Sequence, residues 1–144
     1  MEPEQSFKQA IERFDASQMA LFRRMNPQAL LPPDLPLTGP QLMLLHFIAK
    51  EGECQVTKLA SIMEVKPSAI TVMIDRLVGH GFVNRKASLE DRRVVLLKVT
   101  EQGQSVLQQV RGIRDRKLQQ LFAQLQPEEL DAFLTTFEKI ISQM

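Results

Sequence analysis

The sequence predicts a mainly α-helical fold that carries one small β-hairpin. Apolar residues recur every three or four positions along most of the chain, which is helical spacing. Two β-rich segments, FVNRKA and VVLLKVT, interrupt that pattern once. Between them stands SLEDRR, residues 88 to 93, a charged loop with no Asn-Gly or Gly at its tip to close a tight turn.

The elements follow in order. Phe7, Ala10, Ile11, Phe14, Leu21, Phe22 and Met25 fall on one face and predict a long amphipathic helix that stops near Asn26-Pro27. Pro27, Pro32, Pro33 and Pro36 crowd NPQALLPPDLPLTG, so a stiff connector without regular structure is expected there. Thr38-Gly39-Pro40-Gln41 has the form of a helix start, with the Thr hydroxyl accepting from the amide three residues on while Gln41 reaches back. Leu42, Leu45 and Ile48 follow on one face, and Glu51-Gly52 closes the helix. VTKLASIME gives a shorter helix with Leu59, Ala60 and Met63 inward. Pro67 then pushes Lys66 out of the α region but suits the first helical position, so a new helix begins there and runs to VGHG with Ile70, Ile74 and Leu77 inward.

Two short helices joined by a tight turn form a helix-turn-helix pattern. The outward face of the second carries Ser68, Ala69, Thr71, Val72, Asp75 and Arg76, which are small or polar. A helix entering a major groove ~12 Å wide needs such residues to bring its backbone close. An ordinary solvated face would look the same, but strand-loop-strand follows at once, which makes the loop a wing. Ser68 and Thr71 can then hydrogen-bond base edges, Ala69 and Val72 can touch a thymine methyl, and Lys66 and Arg76 suit phosphates.

After Thr100, a helix cap, helical spacing resumes through Val106, Val110, Ile113, Lys117, Leu121 and Leu125. Pro127-Glu128-Glu129 opens a last helix whose apolar stripe is Leu130, Phe133, Leu134, Phe137, Ile140 and Ile141. Together with the first helix, this is more apolar surface than one small motif can cover. The expected organisation is a single domain, residues 1–144, with a winged helix-turn-helix core at 38–100 flanked by dimerisation helices at 5–28 and 101–144. Within those, 5–28 and 126–144 form the dimer interface.

Composition narrows the function. With 144 residues, 44% of them hydrophobic and 24% charged, the chain has the make-up of an ordinary globular protein. No apolar run approaches the ~18 residues of a membrane span, and MEPEQSFKQA is acidic where a signal peptide would be basic, so a cytoplasmic protein is expected. Residues 55–98 hold eight basic side chains against four acids, a balance of +4, while the remainder sums to −3. That suits a local polyanion-binding surface as well as it suits a chance excess. Two histidines, one cysteine and no Gly-rich or nucleophile-elbow motif argue against an enzyme, and no cofactor or metal is expected. His46, inside LMLLHFI, reads as a buried, hydrogen-bonded histidine, and Cys54 as a bystander in a turn between helices.

The stretch KPSAITVMIDRLVGHGFVNRKASLEDRRVVLLKVTEQG resembles the core of the multiple-antibiotic-resistance regulator (MarR) family of bacterial transcription factors. Its T-x-x-I-D-R-L helix, G-[LF]-V strand and D-R-R wing match as they stand; at the L-T-x-x-G helix start, Val99 replaces the usual Leu. Family wings commonly read D-P-x-D-R-R, whereas this one has Ser88-Leu89-Glu90 before Asp91. The resemblance covers most of the chain and implies a two-fold dimer that represses from a pseudo-palindromic operator in double-stranded DNA. It places a minor-groove role on Arg93, with Asp91 holding its guanidinium in a fork and Arg92 nearer the phosphates. Lys58 and Arg85 complete the expected DNA-binding set. A small effector, often phenolic or a carboxylate, would release the DNA from a pocket between the dimer helices and the winged helix, with Met43, His46 and Phe47 as lining. A winged helix used as a protein-interaction module without DNA binding is the competing reading, and a flat salt response would favour it.

Overall fold

The computed structural model describes residues 3–144. Helix α1 (Pro3–Met25) leads into a single helical turn, α2 (Pro27–Leu30), and then α3 (Gly39–Glu51), strand β1 (Cys54–Gln55), α4 (Val56–Met63) and α5 (Pro67–Gly79). Strands β2 (Val83–Ala87) and β3 (Val95–Val99) precede the long α6 (Glu101–Phe122) and the final α7 (Pro127–Ser142). The chain divides after Val110, within α6, into two compact units. Among the described residues, no helix is long and apolar enough to cross a membrane.

In the first unit α3 is the central helix, packed by α2, α4, α5 and β3. Leu42, Leu45, Ile48, Leu59, Ala60, Ile70, Ile74 and Leu77 are buried as the spacing predicts, and Leu44 joins them with no exposure at all. Neighbours on several sides explain Leu44, since a helix surrounded in this way buries a wider arc than an amphipathic stripe. His46 is exposed, contrary to the buried histidine expected from its apolar surroundings. At about 100° per residue, Leu42, Leu44, Leu45 and Ile48 take the inner arc, and Met43, His46 and Phe47 fall on the outer one.

The proline-rich connector is more ordered than expected. Asn26 caps α2 by accepting from the Ala29 amide at 3.0 Å, and Pro27 stands at the first helical position, where a missing N–H costs nothing. Gln28 then accepts from the Gly39 amide at 2.8 Å, tying the connector to the start of α3. Thr38 and Gln41 form the capping box that their spacing predicts.

The sheet is three-stranded and antiparallel in the order β1-β3-β2, with Cys54 opposite Leu97 and Arg85 also opposite Leu97 on the other edge. β1 is a strand where a turn was expected, and at two residues it is too short to leave a period-two pattern. α6 starts against this sheet. Thr100 caps it by accepting from the Gly103 amide at 3.1 Å, and its own hydroxyl donates to the Gly81 carbonyl at 2.6 Å. A Cβ on Gly103 would lie 2.3 Å from the Phe82 carbonyl oxygen, so only glycine lets the helix approach so closely.

In the second unit α6 ends at Phe122, short of the helical Leu125 expected from spacing. Gln126 and Glu129 cap α7, which carries no buried residue. Phe133 and Phe137 stack on its exposed stripe, with centroids 5.9 Å apart. In the first unit, α1 likewise buries none of its residues.

Candidate nucleic-acid interface

α4 ends at Glu64, a non-glycine residue in the left-handed region (φ 52°). There the Val65 amide donates to the Ala60 carbonyl at 3.1 Å, which reverses the chain in three residues. Lys66 is extended and Pro67 opens α5, as the sequence predicts. Because Ile70, Ile74 and Leu77 are drawn into the core, Ser68, Ala69, Thr71, Val72, Asp75 and Arg76 are all turned to solvent. The Thr71 hydroxyl donates to the Pro67 carbonyl at 3.0 Å, so it presents acceptor lone pairs and a methyl group outward.

The wing stands in the same compact unit. Asp75 of α5 pairs with Arg85 of β2, which joins the helix face to the base of the hairpin. At the tip, Arg93 donates from Nε to Oδ1 and from Nη2 to Oδ2 of Asp91, at 3.2 and 3.3 Å, a two-point fork. The Arg93 amide adds a third bond to Oδ1 at 3.0 Å. These donors, the Arg93 side chain foremost, hold the Asp91 carboxyl below its ordinary pKa. The Arg93 side chain remains 91% exposed, so the fork orients it without covering it.

The remaining basic side chains separate into two groups. Lys58 bonds Glu51 at 2.5 Å, which raises its pKa, and Lys86 meets Glu53 at 3.2 Å. Both acids lie just outside residues 55–98, so the balance of +4 counted there falls to +2 once they are included. Such exposed pairs contribute little to stability, but they mute the field that composition suggested. Lys66, Arg76, Arg92 and Lys98 are exposed, and no ion pair is found for them among the described residues.

Two other sequence expectations can now be placed. Met43 and His46 are exposed and Phe47 is half-buried on the outer arc of α3, with the His46 and Phe47 rings tilted 6.1 Å apart. Cys54 is buried in β1. Desolvation first and the Glu51 charge second push its thiol up, against a smaller pull from Lys58, which leaves a poor nucleophile at neutral pH. No group of three or more His, Cys, Asp or Glu side chains suited to a metal occurs among the described residues. Sequence reasoning passed over Leu89, 95% exposed in the wing loop. Its signal was present as an apolar residue inside an otherwise polar loop.

Comparison with known proteins agrees with this geometry. The MarR family model matches residues 37–95, from the start of α3 through the wing. The transcriptional repressor MdtR of Bacillus subtilis is 32% identical over 87% of this chain and 81% of its own length. Wild-type MarR of Escherichia coli, solved in its apo form, is 27% identical and superposes with a TM-score of 0.73 over 90% of this chain and 93% of its own. A MepR-like protein solved in complex with pseudoligands is 32% identical, with a TM-score of 0.52 over 96% of this chain and 92% of its own. With a helix-turn-helix, a wing and this likeness along most of its length, the chain belongs to the MarR family of DNA-binding transcriptional regulators.

Proposed function

We propose that the protein is a homodimeric repressor that reads a pseudo-palindromic operator in double-stranded DNA and releases it on binding a small molecule. The observation that carries the DNA reading is the joint presentation of two surfaces in one unit. α5 exposes Ser68, Ala69, Thr71, Val72 and Arg76, and the wing beside it exposes Arg93 on a fixed fork. In this reading α5 lies in the major groove with Ser68, Ala69, Thr71 and Val72 at base edges. Lys58, Lys66, Arg76, Arg85 and Arg92 face phosphates, and Arg93, oriented by Asp91, enters the adjacent minor groove.

Dimerisation is supported by the uncovered apolar stripes of α1 and α7, which include Phe7, Phe14, Phe133 and Phe137. The interface then comprises residues 5–28 and 126–144, with the core at 38–100 and the long α6 inside one cooperative domain. Repression is supported by the likeness to MdtR, named a repressor. Effector binding is supported by the MepR-like structure with pseudoligands and by the outer arc of α3, where Met43, His46 and Phe47 offer an apolar surface and an imidazole to a phenolic or carboxylate compound. A protein with this role would work in the cytoplasm, where its operator would lie.

Salt titration of DNA affinity tests the reading. Each phosphate contact releases counterions, so log K against log salt should fall with a slope of about −0.9 per contact. A flat response would contradict DNA binding through this surface.

A further inference from the structure

We propose that Leu89 is an apolar wedge with which the wing parts a flexible base step in the minor groove. This deepens, and rests on, the reading of the wing as a DNA reader. An isolated surface leucine needs no explanation, but Leu89 stands in a wing loop that several hydrogen bonds hold in one shape. The Ser88 amide donates to the Val94 carbonyl at 2.8 Å and the Val94 amide to the Asp91 carbonyl at 2.9 Å. The Ser88 hydroxyl accepts from the Glu90 amide at 3.2 Å and the Asp91 amide at 3.4 Å. The Asp91–Arg93 fork closes the far side. Leu89 is thus held outward, 95% exposed, on a loop that loses little further freedom when it binds.

Charge alone does not account for this tip. Glu90 and Asp91 balance Arg92 and Arg93, so the loop is neutral and gains little from long-range attraction to phosphates. It offers an isobutyl group and a forked guanidinium to a groove about 6 Å wide. Leucine is among the side chains that enter that groove as wedges, unstack neighbouring bases and bend the duplex. Unstacking is easiest at pyrimidine–purine steps such as TA and CA, whereas an arginine by itself favours stiff, narrow A-tracts. The two side chains therefore ask for different sequences, and a Leu89 wedge adds a flexible step beneath the wing.

The test uses the full chain and a random-sequence duplex library, with wild type, Leu89→Ala, Leu89→Met and Arg93→Ala selected in parallel. The winning wild-type duplex is then remade with 2-aminopurine at the step under the wing, where unstacking raises fluorescence. Leu89→Ala should enrich no pyrimidine–purine step there, should bind the winning duplex roughly tenfold more weakly, the scale of burying one leucine side chain, and should leave 2-aminopurine quenched. Leu89→Met should restore most of the affinity and the signal. Weak binding by Arg93→Ala with wild-type affinity and fluorescence for Leu89→Ala would overturn the wedge and leave the wing a reader. Wild-type binding by Arg93→Ala would overturn the wing reading and the wedge with it.

Discussion

Arg93 and Asp91 are two positions apart, and their fork fixes the direction of an otherwise exposed guanidinium. Arg93→Ala should fold and dimerise normally while losing most of its DNA affinity at matched salt, and Asp91→Ala should lose a smaller part, because the arginine remains but is no longer aimed. Binding isotherms of both variants check this ordering; a larger loss in Asp91→Ala would reverse the assigned roles. Asp91 is held below its ordinary pKa, so the fork is complete above the normal carboxylate range and is lost only as pH falls through the lowered value. An NMR titration of the Asp91 carboxyl should therefore show no transition between about pH 5 and 8, the range in which histidines titrate. On α5, the Thr71 hydroxyl donates back to Pro67, so its outward lone pairs can accept from an adenine or cytosine amino group. Thr71→Ala should cost about 1 to 3 kcal/mol on the preferred operator and relax one base position. Equal losses on preferred and random DNA would mean that Thr71 reads no base.

At the scale of elements, the junction of the wing with α6 leaves no room for a side chain at Gly103. The Thr100 amide donates to the Phe82 carbonyl at 3.0 Å, and a Cβ on Gly103 would lie 2.3 Å from the same oxygen. Gly103→Ala should destabilise the chain by about 1 to 3 kcal/mol, the usual cost of overpacking, measurable as a lower denaturation midpoint. An unchanged midpoint would show that α6 can slide away freely. The elements legible in the sequence were those with strong local chemistry. Thr38 and Gln41, Pro67 after Lys66, and the capping Thr100 each satisfy their own helix ends, so their boundaries follow from neighbouring residues alone. β1 was not legible, because two residues pair with β3 through a partner some forty positions away. The outward turn of His46 was hidden for a similar reason: LMLLHFI is apolar on nearly every side, and only packing by α2, α4, α5 and β3 decides which arc is inner. The wing fork was expected from the resemblance to family wings, while the pairs Glu51–Lys58, Glu53–Lys86 and Asp75–Arg85 depend on the fold that brings them together.

For the molecule as a whole, the proposed dimer rests on the terminal helices. α7 exposes Phe133, Leu134, Phe137, Ile140 and Ile141 along one face, and α1 exposes Phe7, Ile11 and Phe14 along another. Stripes of this kind mark an interaction surface, and in the proposed dimer a second copy would cover them under two-fold symmetry. Phe133→Glu with Phe137→Glu should give a soluble monomer by sedimentation, while a variant that still sediments as a dimer would remove α7 from the interface. A two-fold dimer also dictates what its DNA must look like, because two α5 helices related by that axis read the same sequence in opposite directions. Selection of bound duplexes from a random pool by the full-length protein tests this most directly. The expected result is two inverted half-sites whose centres lie about one duplex turn, roughly 34 Å, or a small multiple of that apart. Enrichment of a single asymmetric site, or of no sequence at all, would contradict it.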